Sequence, residues 1–433
     1  MFNSLFKWTN LFTILTKFLL FILPFYVVIK VYSDKVLDMW FLWFFIKEFI
    51  IILLFLSLIY EYFFNKKNKD FELKFDLIDY LIFAFIWYWI WITFLNWLWL
   101  NSVFFGWRYD FLWFVVLLIY KHWIVFLKEK TRELIKLFMI SSLVSLFLWI
   151  MIKFVLWEEF LSLFWFSIQV TQFWFDWGIP IYQWVEASGI RRFQWILDSP
   201  LAMWFFLILF TGLFLHLNKK NIDFAIIFWL LILCILIFLT YSRAAMLWII
   251  IWIFLLLILS ARKLLKYYKK IITYILVIGI ILTSGLAYIF QDKIVNIFLR
   301  PGSTEWHFTR ITVWFERFSQ KPFGSGLATS GPAYRNIIKW ETSLETDRYY
   351  IPESWFVQIL VEWWFVYFTL FMAILFNILL NLYKNKNKFI LAMFVWVLVM
   401  NMFLHVFEYT YITILLFLFL WLFYSSENLQ KQY

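Results

Sequence analysis

The chain has one cysteine, Cys234, set in the middle of an apolar run. An intrachain disulfide is therefore excluded, and no His/Cys cluster with metal-ligand spacing accompanies it. There is no G-x-x-x-x-G-K-[ST] loop and no G-x-G-x-x-G, which argues against an ATP-driven machine. Charge is scarce. Asp, Glu, Lys and Arg make up 15% of the residues against 65% hydrophobic, and this excludes a soluble domain of 433 residues. The net charge of +11 follows from an excess of Lys and Arg, which in a membrane protein sets topology and does not point to nucleic acid.

Glycine is also scarce. The chain has 10 Gly and 30 Trp, whereas glycine ordinarily makes up about 7% of residues and is more frequent still in membrane helices. Trp occurs in mid-span as well as at interfaces, and Trp248 and Trp252 stand at the i, i+4 spacing of a small-xxx-small packing motif. The reading is that many of these Trp letters are UGA codons that the source translates as glycine.

What is present is a series of apolar runs. They predict an all-α polytopic membrane protein of about twelve helices, at about 11–31, 41–63, 77–95, 109–127, 135–156, 201–217, 223–241, 244–260, 271–290, 355–380, 389–407 and 410–425. The chain divides into helices one to nine (1–290, with a connector at 157–200), a long loop (291–354), and helices ten to twelve with a tail (355–433). The first run lacks a small-residue cleavage site, so no cleavable signal is expected. Basic connectors follow spans two, four, six, eight and ten and together carry about 18 Lys or Arg, which marks them as cytoplasmic. Both termini then fall in the cytoplasm, and the two longest connectors face outward.

The stretch Gln291–Ser354 concentrates the polar chemistry, and a loop of that length is usually functional. Phe308, Ile311, Phe315 and Phe318 repeat at helical spacing, with His307, Arg310, Trp314 and Arg317 as the neighbouring stripe, and Lys321-Pro322 ends the pattern. Two further outward elements carry charge: Gly189-Ile-Arg191-Arg192-Phe-Gln-Trp195-Ile-Leu-Asp198-Ser-Pro200 and the turn Thr240-Tyr-Ser242-Arg243-Ala-Ala245. Arg243 sits between two apolar runs, where an ionisable residue is a functional candidate by default. Two outward arginines, Arg192 and Arg243, suit a pyrophosphate, because a guanidinium binds phosphate through a planar fork. Trp107-Arg108-Tyr-Asp110 begins span four on the same side. Lys47-Glu48 reads as a local pair, and His405 with Glu408 as a polar pair of the core. His122 and His216 lie toward the cytoplasmic side.

These segments resemble the O-antigen ligase and O-antigen polymerase family of bacterial surface-polysaccharide enzymes. The turn 240–245 is similar to the family's T-x-S-R-G/A-A. Arg192 to Pro200 is similar to R-x-x-G-x-x-x-x-P-N, with Trp195 at the glycine and Leu201 at the asparagine. Lys321-Pro-Phe-Gly324-Ser-Gly326-Leu-Ala328 resembles P-x-G-x-G-x-G, with Ala328 at the last glycine. Pro352-Glu353-Ser354-Trp-Phe-Val-Gln358-Ile-Leu-Val-Glu362-Trp-Trp364 resembles H-N-x-x-L-Q-x-x-x-E-x-G, with Glu353-Ser354 in place of His-Asn and Trp364 at the glycine. The Trp letters at glycine positions agree with the codon reading.

The resemblance implies glycosyl transfer outside the cytoplasm, at the bacterial inner membrane. The donor it implies is an undecaprenyl-pyrophosphate-linked oligosaccharide, and the acceptor a glycan, the lipid A core or a protein. It implies no metal and no cofactor. Fixed cations stabilise the leaving pyrophosphate, for which Arg192 and Arg243 are the candidates with Arg310 or His307 in support; Glu353 or His307 is the candidate base. Twelve spans suit two other classes as well, a polysaccharide flippase or other transporter and a non-catalytic accessory protein. A flippase needs charge along a central path, whereas here most of it gathers on one side.

Overall fold

The computed structural model describes residues 8–35, 46–64, 75–95, 105–127, 130–152, 184–185, 190–194, 197–218, 224–242 and 354–425, with single positions between them, notably within 305–331. The expected spans 244–260 and 271–290 lie outside the described residues, as do Arg243, His307, Arg310 and Glu353. In order, the described helices are α1 (Trp8–Ile22), α2 (Tyr26–Lys35), α3 (Ile46–Phe64), α4 (Leu77–Leu95), α5 (Leu112–Leu127), α6 (Thr131–Met151), α7 (Pro200–Leu217), α8 (Phe224–Leu239), α9 (Trp355–Lys384), α10 (Lys388–Asn401) and α11 (Thr410–Ser425). Among the described residues five spans are long and apolar enough to cross a membrane: Asn10–Ser33, Leu77–Phe94, Thr131–Met151, Pro200–Leu217 and Phe365–Lys384. Among the described residues the one pair of strands lies in the 157–200 connector, where Trp184–Val185 and Ile190–Arg191 pair as a short antiparallel hairpin.

Helix α11 is the central pillar. It is buried from Thr410 to Trp421 and packs most extensively on α5, while α4 packs on α9, α7 on α10, and α1 on α3 and α6. Aromatic rings fill the interior. Trp113 stacks on Phe407 at 5.1 Å between centroids, and Trp355 meets Phe407 edge-on at 5.2 Å. The outer faces remain apolar: Trp87 is 72% and Phe94 75% exposed on α4. Such faces suit lipid, because every helix satisfies its own backbone groups.

Local chemistry explains the breaks. Pro24 interrupts the first span, giving a 3-10 turn at Leu23–Phe25 between α1 and α2. Carbonyls around the break are taken up by α6: the Ser141 hydroxyl donates to Phe21 O at 2.7 Å and the Ser145 hydroxyl to Pro24 O at 3.3 Å. Helix α7 starts at Pro200 with Ser199 as its cap, whose Oγ accepts from Ala202 N at 3.0 Å. Ser354 caps α9 in the same way. Gly212 lies where α7 meets α10, and a Cβ there would run into the Met393 side chain.

Span eleven is shorter than its apolar run. Helix α10 ends at Asn401, and His405 and Glu408 lie in a turn leading into α11. Asn401 organises this turn. Its amide donates to Val397 O at 2.8 Å, and its Oδ1 accepts from Phe407 N at 3.1 Å. At the described positions within 305–320 the chain is helical, as the periodicity predicts. Of the two stripes only Trp314, 1% exposed, and Phe318, half-buried, are described.

Candidate functional site

One end of the bundle gathers the starts of α3, α5, α7, α9 and α11, the bend after α1, the end of α8 and the 402–409 turn. Its deepest layer is charged. Glu48 on α3 forms an ion pair with Arg108, Nε to Oε1 2.8 Å, and another with the adjacent Lys47. The Tyr26 hydroxyl accepts from Lys47 Nζ and from Arg108 Nη2, each at 3.2 Å. All four side chains are buried. Arg108 reaches Glu48 from a π turn, Trp107–Phe111, that precedes α5; such turns recur at functional sites. The expected Lys47-Glu48 pair is present, but it belongs to this larger network.

Tyr26 stacks on Tyr411 with ring centroids 5.4 Å apart. The Tyr411 hydroxyl donates to Asp198 Oδ1 at 2.9 Å, and Ser199 Oγ donates to the Tyr409 hydroxyl at 2.8 Å. The Arg192–Pro200 segment is thus pinned to the start of α11 by two phenols. Burial raises the Asp198 carboxyl above the usual carboxylate range, with the Tyr411 hydroxyl pulling the other way.

The same segment is seated on the end of α8. Phe193 N donates to Leu239 O at 2.9 Å, and Arg192 Nε donates to Thr240 O at 2.9 Å. Two stretches about fifty residues apart in sequence therefore meet at the Arg192 guanidinium. Tyr241, next in the turn, has φ +48, a left-handed conformation that a non-glycine residue adopts at a cost. Arg243 follows two residues later, outside the described residues.

The third and fourth segments also meet. Gly326 N donates to Glu362 O at 3.0 Å, and Ser330 donates to Glu362 Oε1 through both its N–H and its hydroxyl, each at 2.8 Å. Gly331 has φ +66 and lies so close to Gln358 that a Cβ would overlap its amide. Asp110 and Glu408 are also buried, in two turns that pack against each other. Sequence reading placed Asp110, Glu362 and Glu408 in three unrelated contexts and did not bring them together. The available signal was that each is an acid embedded in apolar sequence. Glu408 N donates to the His405 carbonyl at 3.3 Å, and burial, with Glu362 adding to it, raises the Glu408 carboxyl well above the usual carboxylate range.

The opposite end of the bundle holds ion pairs between helices. Lys121 binds Asp76 at 2.5 Å and Asp79, His122 faces Asp79 at 3.2 Å, and Lys17 binds Glu133 at 2.5 Å. These tie α4 to α5 and α1 to α6. Among the described residues no group of three His, Cys, Asp or Glu has the arrangement of a metal site.

Neither curated proteins nor solved structures gave a match to the chain. A family model described as O-Antigen ligase matches residues 226–372, about a third of the chain. The match spans the Thr240 turn, the Gly324–Gly331 stretch and the Ser354–Glu362 helix start, which the structure gathers at one end of the bundle together with Arg192. Residues 226–372, which carry three of the four motifs, are thus similar to the O-antigen ligase family.

Proposed function

We propose that this protein transfers or polymerises oligosaccharide from an undecaprenyl-pyrophosphate-linked donor to a glycan or lipid acceptor on the extracytoplasmic face of the inner membrane. The observation that supports it best is the bond from Arg192 Nε to Thr240 O at 2.9 Å, because it seats one motif arginine three residues from Arg243. In the reaction an acceptor hydroxyl attacks the anomeric carbon. A new C–O bond forms, the bond from that carbon to the pyrophosphate oxygen breaks, and the hydroxyl proton passes to a base. Arg192 and Arg243, with Arg310 or His307, hold the pyrophosphate as negative charge grows on it. Glu353 or His307 takes the proton. Neither a metal nor a cofactor enters this scheme.

The test uses membranes carrying the protein and a lipid-linked oligosaccharide, and follows both glycan transfer and release of lipid pyrophosphate. Arg192→Ala and Arg243→Ala each lose about 2–4 kcal/mol of transition-state stabilisation, a hundredfold or more in rate. Arg243→Lys fails as well, because an ammonium does not reproduce the bidentate fork. Full activity in Arg243→Lys overturns the clamp. Movement of the donor across the membrane without pyrophosphate release replaces the transferase with a transporter. The orientation has its own test: in a Cys234→Ser background, a cysteine at exposed Ser319 is labelled from outside and one at Asn68 only from inside.

A further inference from the structure

The segment from Arg192 to Ser199 is held at its two ends by different helices. At its start, Phe193 N and Arg192 Nε donate to the carbonyls of Leu239 and Thr240 at the end of α8, each at 2.9 Å. The Phe193 ring meets Trp149 of α6 edge-on, 4.8 Å between centroids. At the far end, the Tyr411 hydroxyl donates to Asp198 Oδ1 at 2.9 Å, and the Ser199 hydroxyl donates to the Tyr409 hydroxyl at 2.8 Å. Between the ends, Leu197 N closes a turn on Gln194 O at 3.3 Å.

Two phenols two residues apart in sequence thus serve adjacent residues of the segment. A continuous helix does not allow this, because positions i and i+2 do not face each other. The arrangement depends on Tyr409 standing outside α11, with φ −73 and ψ +70, while α11 begins at Thr410 and carries Tyr411 in its first turn. The Tyr411 ring is itself fixed. It is 3% exposed and stacks on Tyr26, whose hydroxyl accepts from Lys47 Nζ and from Arg108 Nη2, each at 3.2 Å.

We propose that Tyr409 and Tyr411 are positioning residues for the Arg192 guanidinium: they tie the far end of its segment to the pillar helix α11, so that the guanidinium, with its Nε committed to Thr240 O, meets the donor pyrophosphate in one fixed orientation. The inference rests on the transferase reading of Arg192. A planar fork matches a phosphate in a defined orientation, and a misplacement of about 1 Å in a positioned group costs roughly a hundredfold in rate. The bonds at residues 192 and 193 by themselves leave the segment able to pivot about them, and the bonds at 198 and 199 remove that pivot. Ser199 also caps α7 through Ala202 N at 3.0 Å, so the first turn of α7 shares the anchor. Both phenols act through the segment and not on the reacting atoms.

The test measures donor kinetics in membranes carrying the full chain, with the thermal midpoint as a check that each variant is folded. Tyr409→Phe/Tyr411→Phe deletes two hydroxyl oxygens and keeps both rings. It is expected to lower kcat about tenfold or more, with the donor KM changed less than about threefold. In an Arg192→Ala background the same pair is expected to lower the residual kcat no further, since no guanidinium is left to aim. Asp198→Asn, whose amide oxygen still accepts from Tyr411, is expected to recover most of what Asp198→Ala loses. Equal losses in the two backgrounds overturn the proposal, because the phenols then support the fold at large. So does an Asp198→Asn variant no better than Asp198→Ala. Parental kcat in the double Phe variant, with Arg192→Ala impaired, overturns the positioning role and leaves the donor reading of Arg192 standing. Parental kcat in Arg192→Ala removes that donor reading and the positioning role with it.

Discussion

Glu48 serves two cations at once, and this asymmetry sets the scale of its replacement. Its Oε1 lies 2.8 Å from Arg108 Nε and also pairs with Lys47, with all three side chains 3% exposed or less. Glu48→Gln removes the only negative charge of this trio and leaves two buried cations sharing the Tyr26 hydroxyl. Breaking one member of a buried pair typically costs about 3–5 kcal/mol. Glu48→Gln should reach the top of that range because two partners are stranded. Arg108→Met leaves Lys47–Glu48 as a neutral pair and should cost roughly half as much on the same scale. The double variant Glu48→Gln/Arg108→Met should lose less than the sum, with a coupling of about 1–3 kcal/mol. Replacing Lys47 as well, by Met, should return part of the loss, since no charge then remains to be desolvated. The assay is the thermal midpoint of the purified protein in one fixed detergent–lipid mixture. An equal or larger loss in Arg108→Met than in Glu48→Gln would refute the reasoning, since it would show that the carboxylate is not the hub.

Other consequences are simpler to check. Ser199→Ala removes both the cap on Ala202 N and the bond to Tyr409, and should cost about 1–2 kcal/mol in thermal stability while weakening transfer through the displaced Arg192 segment. Gly331→Ala should cost about 1–3 kcal/mol; adding Gln358→Ala should relieve the overlap but not the left-handed backbone, so recovery measured by the same melt is partial. Glu353→Gln should lower turnover at least about a hundredfold with donor binding unchanged if the carboxylate is the base, and near-normal turnover would move that role to His307. Trp204 and Trp355 are fully buried with indole N–H groups that find no partner among the described residues. A buried donor left unpaired costs about 1–3 kcal/mol, so reading the gene should show UGA at some of the Trp letters, Trp195 and Trp364 included. TGG at Trp195, Trp364, Trp248 and Trp252 would end that idea.

Much of the architecture was legible in the sequence because its causes are local. A membrane-spanning helix must satisfy its own backbone and bury or expose apolar side chains along its whole length, so span after span is readable from composition alone. Leu77–Leu95 and Thr410–Ser425 fall where the apolar runs place them. Caps and breakers are local too, which is why Pro200 and Ser354 mark helix starts correctly, while the expected stop at Lys321-Pro322 lies outside the described residues. Where span boundaries slipped, a polar hub decided. Asn401 ends α10 early by bonding into the following turn, and nothing in the run 389–407 announces that.

The sequence by itself thus determined the helical membrane class, the order of the described helices and the motifs that resemble the O-antigen ligase family. Tertiary structure alone decided which polar groups share a space. The contact of Arg192 with Thr240 joins residues 48 apart, Tyr411 with Asp198 joins residues 213 apart, and Ser330 with Glu362 joins a loop to a helix. Periodicity reports which way a side chain faces about its own helix axis. It carries no information on which other helix that face will meet, because this depends on packing among helices distant in sequence.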